Sequence, residues 1–231
     1  MRAPVLFCWS GGKDSALALH SLLQNPAYEV TGLLTTVTEG FDRISMHGVR
    51  RELLQRQAVS IGLPVEEVRI PPNCPDTVYE ARMAETLQRF RDRGVSHVAF
   101  GDIFLEDLRA YRESKLLQAE MKALFPIWKV DSRELVTRFL GNGFRAIAVC
   151  IDPRKLDTSF AGRELNAAFF RDLPADVDPC GENGEFHTFV IAGPIFRHSI
   201  GVQVGEIVER DSFVFCDLLP AAEPAPFARG A

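Results

Sequence analysis

No run of 18 apolar residues occurs in this sequence, which excludes a helical membrane span. Met1-Arg2-Ala3-Pro4 leads straight into a strand-like segment, so no signal peptide is expected. Positive charge is not in surplus: 26 Lys and Arg stand against 31 Asp and Glu, a net charge of −5. That argues against a general nucleic-acid-binding surface, though not against a local basic groove. No CxxC pair is present, and the five cysteines, at 8, 74, 150, 180 and 216, are odd in number and scattered. They exclude a disulfide framework and read as reduced thiols of a cytoplasmic protein. There is no internal repeat, and no low-complexity tract except the Ala/Pro-rich end from Pro220.

What is present is an ordinary globular composition, 46% hydrophobic and 25% charged over 231 residues, enough for one core with a smaller lobe. The chain is organised around Ser10-Gly11-Gly12-Lys13-Asp14-Ser15. Val5-Leu6-Phe7-Cys8-Trp9 before it is a short apolar run suited to a strand buried on both faces. Ala16, Leu19 and Leu23 after it recur at helical spacing until Asn25-Pro26. Two glycines at a strand-to-helix turn allow positive φ and close approach to the backbone. With the free N–H groups of the helix start they form an anion-binding concavity, to which Ser10, Ser15 and Lys13 add donors and charge. Asp14 beside phosphates is repulsive unless it holds Mg²⁺ or orients Lys13.

The Walker A spacing fails, because Phe7 and Asp14 occupy positions that require Gly and Ser or Thr; the dinucleotide fingerprint fails for want of a third Gly. The remaining pattern resembles the PP-loop of the ATP pyrophosphatase superfamily, whose members cut ATP between the α and β phosphates. An ordinary Gly-rich turn before a helix is the plain alternative.

Alternating strand and helix signals through residue 130 predict an α/β, Rossmann-like, doubly wound parallel sheet. Strands are expected at 28–37, 65–70, 96–100 and 127–130, and helices at 49–61, 76–93 and 108–124. Thr35, His47, Gly101 and Asp102 then fall at the carboxyl edge beside the loop. Residues 131–219 predict a smaller mixed α/β lobe capping that sheet, with helices at 134–140 and 163–171 and strands at 144–151, 186–191, 201–209 and 213–219. The expected division is an ATP-binding domain at 1–130, this substrate lobe, and a mobile tail at 220–231.

A second cluster is Asp178-Pro179-Cys180-Gly181-Glu182-Asn183-Gly184-Glu185-Phe186-His187-Thr188. Alone, it reads equally as a tight turn with solvated acids. Together with the Ser10–Ser15 loop and Gly101-Asp102, it is similar to the diphthine–ammonia ligase family, over roughly Pro4 to Phe196. Members of that family typically read Gly-Glu-Gly-Gly-Glu-Tyr-Glu-Thr here; Asn183, Phe186 and His187 are this chain's departures.

The resemblance implies an ATP-dependent amidoligase using ATP and Mg²⁺ as cofactors, with ammonia and a carboxylate acceptor, small molecule or protein, as partners. Lys13, Glu182 and Glu185 would be catalytic, with Ser10–Ser15, Thr35, His47, Gly101 and Asp102 on the nucleotide. Glu113, Asn183, Gly184 and His187 would serve the acceptor, and Asp14 the metal. His187 also reads as a surface histidine, and His47 as a plain helix-entry residue. Cys180, His187 and His198 are ligand types for zinc without paired spacing. Two other readings remain: a non-catalytic ATP/AMP-binding module, and a tRNA sulfur transferase, which lacks its usual CxxC and basic surface here. A homodimer is left open.

Overall fold

The computed structural model describes residues 2–41, 43–44 and 48–222. His47 and most of the expected mobile tail lie outside them. Strand β1 (Ala3–Cys8) enters helix α1 (Lys13–Leu23), followed by β2 (Tyr28–Thr38), the short β3 (Arg43–Ile44), α2 (Arg51–Ile61) and β4 (Val65–Ile70). Then come α3 (Asp76–Asp92), β5 (His97–Ala99), α4 (Glu106–Gln118) and β6 (Lys122–Leu124).

β1 lies parallel between β2 and β5, while β4 pairs parallel with β2 and β6 with β5. Leaving out β3, which pairs antiparallel with the end of β2, the strand order in the chain's own count is 3-2-1-4-5. This is a doubly wound sheet with its switch point between β1 and β5, where a ligand crevice opens outside the carboxyl ends. Val5 and Phe7 of β1 pack in a cluster with α1 and α2 residues such as Leu19 and Leu54. Leu6 points the other way, to a cluster with Leu87 of α3 and Leu116 of α4. Alternation along one strand thus puts helices on both faces.

The second half begins with α5 (Ser132–Gly141), capped by Asp131, whose carboxylate accepts from the Arg133 and Glu134 N–H groups. β7 (Arg145–Ile151), α6 (Ala167–Asp172), β8 (Phe186–Ala192), β9 (Val202–Arg210) and β10 (Phe213–Pro220) follow. Their strands form an antiparallel sheet in the order β8-β7-β10-β9. Its buried residues, Phe189 and Val190 among them, belong to the cluster that holds Phe7 and Leu19, so the two sheets share one core.

One expected stretch differs. The helix predicted to reach Leu124 stops at Gln118, and the strand falls at Lys122–Leu124 rather than 127–130. Glu120 adopts φ 55°, and the Met121 N–H closes back on the Leu116 carbonyl, ending the helix. The stretch Met121–Phe125, apolar but for Lys122, fits either period, and pairing with β5 decides it. The helix expected at 163–171 is likewise shorter, because Asn166 caps it late.

Candidate active site

The Ser10–Ser15 loop leaves β1 at the switch point and is fixed from three sides. The Val190 N–H of β8 donates to the Gly11 carbonyl at 2.9 Å. Gln57 of α2, fully buried, donates to the Gly11 and Val190 carbonyls at 3.1 and 2.6 Å and accepts from Trp9 Nε1 at 3.0 Å. Both amide donors and the amide oxygen are thus engaged. Gly11 has φ +81°, and a Cβ there would stand 2.8 Å from Gln57 Oε1, so both conformation and space call for glycine. Across the crevice, a Cβ on Gly101 would come 2.8 Å from the Ser15 nitrogen, which measures how closely the β5 end approaches α1. Ser10 Oγ and Ser15 Oγ lie 3.1 Å apart, and the Gly12 N–H donates to Ser10 Oγ.

Lys13 is 3% exposed. Its backbone N–H, otherwise an orphan of the helix start, donates to Thr188 Oγ1 at 3.0 Å. Its ammonium donates to both Asp14 oxygens, at 2.9 and 2.7 Å, and to the Cys180 carbonyl. Burial pulls the Lys13 pKa down, but Asp14 overcomes it and the net direction is up. Burial also pushes Asp14 up against the pull of Lys13. Asp14 keeps 25% of its side chain exposed and both oxygens are engaged, so we take the pair as ionised.

The late cluster forms a turn ahead of β8, with Gly181 at φ +66°. The Glu182 N–H donates to Asp178 Oδ2, and Glu182 Oε1 accepts from the Ile103 N–H at 2.9 Å. Burial pushes Glu182 up to about 7, against the Ile103 hydrogen bond, with Asp14 adding to the rise. Burial, helped by Lys13, holds His187 down at about 4. Asp102 pairs with Arg112 at 2.9 Å, and burial raises it.

A cavity of about 960 Å³ gathers these groups: Ser10, Gly12, Lys13, Asp14, Ser15, Thr35, Gly101, Asp102, Glu182, Gly184 and His187 line it. Gly11 lies behind the loop. Glu185 is not on its wall. That side chain is 4% exposed, and Oε1 accepts from the Asp178 N–H and Asn183 Nδ2, both at 3.1 Å, so it braces the turn from within. Glu113 is exposed, paired with Arg109 one turn away on α4 at 2.8 Å, and not on the wall either. Among the described residues no cluster of three or more His, Cys, Asp or Glu is placed to hold a metal. Cys8 and Cys180 also line the cavity, and burial pushes both up to about 12, so they remain thiols.

Gln57, Thr188 and Arg112 were not singled out from sequence. Thr188 stands inside the late motif and could have been; Gln57 looks like any polar helix residue until β8 is packed against it.

Residues 1–122 match the family model described as the diphthamide synthase N-terminal domain, and residues 131–221 the one described as the diphthamide synthase C-terminal domain. A protein named diphthine–ammonia ligase from Schizosaccharomyces pombe is 25% identical over 233 positions, covering 93% of this chain and 38% of the relative. Another of that name from Danio rerio is 26% identical over 122 residues, 49% of this chain and 47% of the relative. The chain spans less than half the length of these curated relatives.

Proposed function

Because this chain belongs to the diphthamide synthase family, matched over both of that family's domains, we propose that it is an ATP-dependent amidoligase. It adenylates a carboxylate acceptor, releases pyrophosphate, and forms an amide with ammonia as AMP leaves. One observation carries the reading: the Lys13 ammonium, at the start of α1, bonds the Cys180 carbonyl in the turn that presents Glu182, so both motifs open into one cavity. The name of the relatives, diphthine–ammonia ligase, supplies the reaction type.

ATP is consumed and is therefore a substrate. The α1 N-terminus, the loop N–H groups and Lys13 take its phosphates. An acceptor carboxylate oxygen attacks the α phosphorus, the bond to the α–β bridging oxygen breaks, and pyrophosphate departs with that electron pair. Lys13 stabilises the charge that develops on it. Asp14 fits Mg²⁺ in chemistry: it is a hard oxygen donor, with Asp102 and Glu182 close enough to act on one another electrostatically. Mg²⁺ commonly takes one or two carboxylates plus phosphate oxygens, and when bound it would neutralise charge on the triphosphate.

Ammonia then attacks the acyl carbon, the carbon–oxygen bond to AMP breaks, and one ammonia proton goes to a base. Glu182, titrating near neutrality, is suited to that role; His187, neutral down to about 4, is a weak acceptor of protons and better placed as a polar wall of the acceptor site. The nucleotide phosphates would be held by 1–130, and 131–219 would cap the crevice in which the acceptor's carboxylate meets Glu182. Asn183, Phe186 and His187 change the acceptor motif and favour a carboxylate other than diphthine.

The test is product identity. Incubated with ATP, Mg²⁺, ¹⁵N-ammonium and a panel of carboxylates, the protein should yield AMP, pyrophosphate and a ¹⁵N-amide. Lys13→Ala should lower kcat/KM by about 10²–10³-fold. ADP with orthophosphate would overturn the reading, and saturable ATP binding without turnover would mark a nucleotide-binding module.

A further inference from the structure

The cavity extends well beyond the phosphate loop, under α3 and α4. Of its 17 residues α3 fully buries only Thr86 and Leu87, and α4 fully buries only Leu116. Leu87 and Leu116 pack with Leu34, Val98 and Phe100 of the sheet in one buried cluster, and the cavity opens beside it along the half-buried Tyr79, Met83, Leu105 and Leu108. Tyr79, Met83 and Leu87 recur at helical spacing along the wall, as do Leu108, Arg112 and Leu116 on the facing helix. The floor is apolar: Cys8, Leu34, Val98 and Phe100 of the sheet. A polar strap crosses between the helices, with Lys115 Nζ 2.8 Å and Tyr111 Oη 3.1 Å from Glu80 Oε1. The cations of this arm are already matched, Lys115 by Glu80 and Arg112 by Asp102.

A second arm runs past Thr35 and Thr36 at the end of β2. A purine needs hydrogen-bond partners for its ring nitrogens and amine, and that arm has hydroxyls and strand-end backbone to offer. The α3–α4 arm offers mainly apolar wall and no unmatched cation, which disfavours a second carboxylate or a phosphate there. We infer that the α3–α4 arm is the acceptor-binding cleft and takes a monocarboxylic acid with an apolar body, which lies against the half-buried side chains of Tyr79, Met83, Leu105 and Leu108 and presents its carboxylate toward Lys13 and Glu182. This rests on the ligase reading above. The bulk of the affinity comes from removing the apolar body from water, and selectivity against dicarboxylates from the absence of a free cation to receive the second charge.

The experiment titrates intact protein, saturated with Mg²⁺ and α,β-methylene-ATP, with 4-phenylbutyrate and with succinate by calorimetry. Phenylbutyrate should bind at least about tenfold more tightly. Ala84 lies on the cleft wall with an exposed side chain, so Ala84→Trp should fold while narrowing the entrance; Met83→Trp fills the interior as a second variant. Each should cost phenylbutyrate about tenfold and leave the nucleotide analogue within about twofold. Succinate binding as well as phenylbutyrate, or loss of analogue affinity in both variants, overturns the inference. ATP–pyrophosphate exchange separates the two levels. If only hydrophilic acids drive exchange, the ligase reading stands and the cleft assignment falls. If phenylbutyrate binds as described and no acid drives exchange, the ligase reading falls.

Discussion

Glu182 and His187 face the same cavity with opposite shifts, and each has a pH signature. With Glu182 pushed up to about 7, the basic form grows in as pH rises through neutrality, so kcat should climb to a plateau with an apparent pKa near 7. Glu182→Gln should remove that limb; an unchanged profile would take the base role away from Glu182. For stability the sign reverses. A carboxyl raised from 4.5 contributes fully below 4.5, and that contribution is lost as pH rises through about 7. His187, depressed from 6.5, contributes above 6.5 and loses that as pH falls through about 4. Denaturant midpoints of the wild type, Glu182→Gln and His187→Gln across pH 4–8 would resolve both signs. Gln57 belongs to the same scale. Gln57→Leu would leave Trp9 Nε1 without its acceptor and the Val190 carbonyl without its donor, at about 1–3 kcal/mol for each orphaned group. Urea unfolding checks it, and a loss below half a kcal/mol would mean that the loop relaxes around the change.

At the scale of elements, the turn at 178–185 and strand β8 act as one unit. Thr188 caps the Lys13 N–H, Val190 holds Gly11, and Glu185 ties Asp178 to Asn183 beneath the turn. Glu185 looked catalytic because two glutamates flanking a glycine in one motif cannot be told apart by spacing. The structure separates them by direction: one carboxylate faces the cavity and the other faces inward. Glu185→Gln keeps an acceptor oxygen and should retain activity within about tenfold, whereas Glu185→Ala releases two donors and should lower kcat by about a hundredfold with nucleotide affinity unchanged. Equal loss in both variants would restore Glu185 to the chemistry. β1 was readable as a short apolar run suited to burial on both faces, α1 and α2 from apolar residues at helical spacing, and β4 from its alternation. The α4–β6 junction was not, because Met121–Phe125 is apolar at every position but Lys122 and only its neighbour strand decides its conformation.

On the scale of the whole molecule, a doubly wound half and an antiparallel half share one core, and the candidate site lies where β8 meets the switch point of the first sheet. The sequence allowed the first half's topology to be read, since alternating strands and helices admit few arrangements. It did not reveal that β8 would lie against the Ser10–Ser15 loop, because contacts such as Lys13–Thr188 join residues 175 apart and leave no local signature. On the function proposed above, these two distant motifs form one nucleotide site. The most direct measurement follows backbone amide resonances of the intact protein during titration with Mg²⁺ and α,β-methylene-ATP. The amides of Gly12, Lys13 and Glu182 should shift together in a single saturable event, since nucleotide phosphates would compete with Asp14 and the Cys180 carbonyl for the Lys13 ammonium. Saturation with the loop amides unmoved, or loop shifts that leave Glu182 where it was, would contradict it.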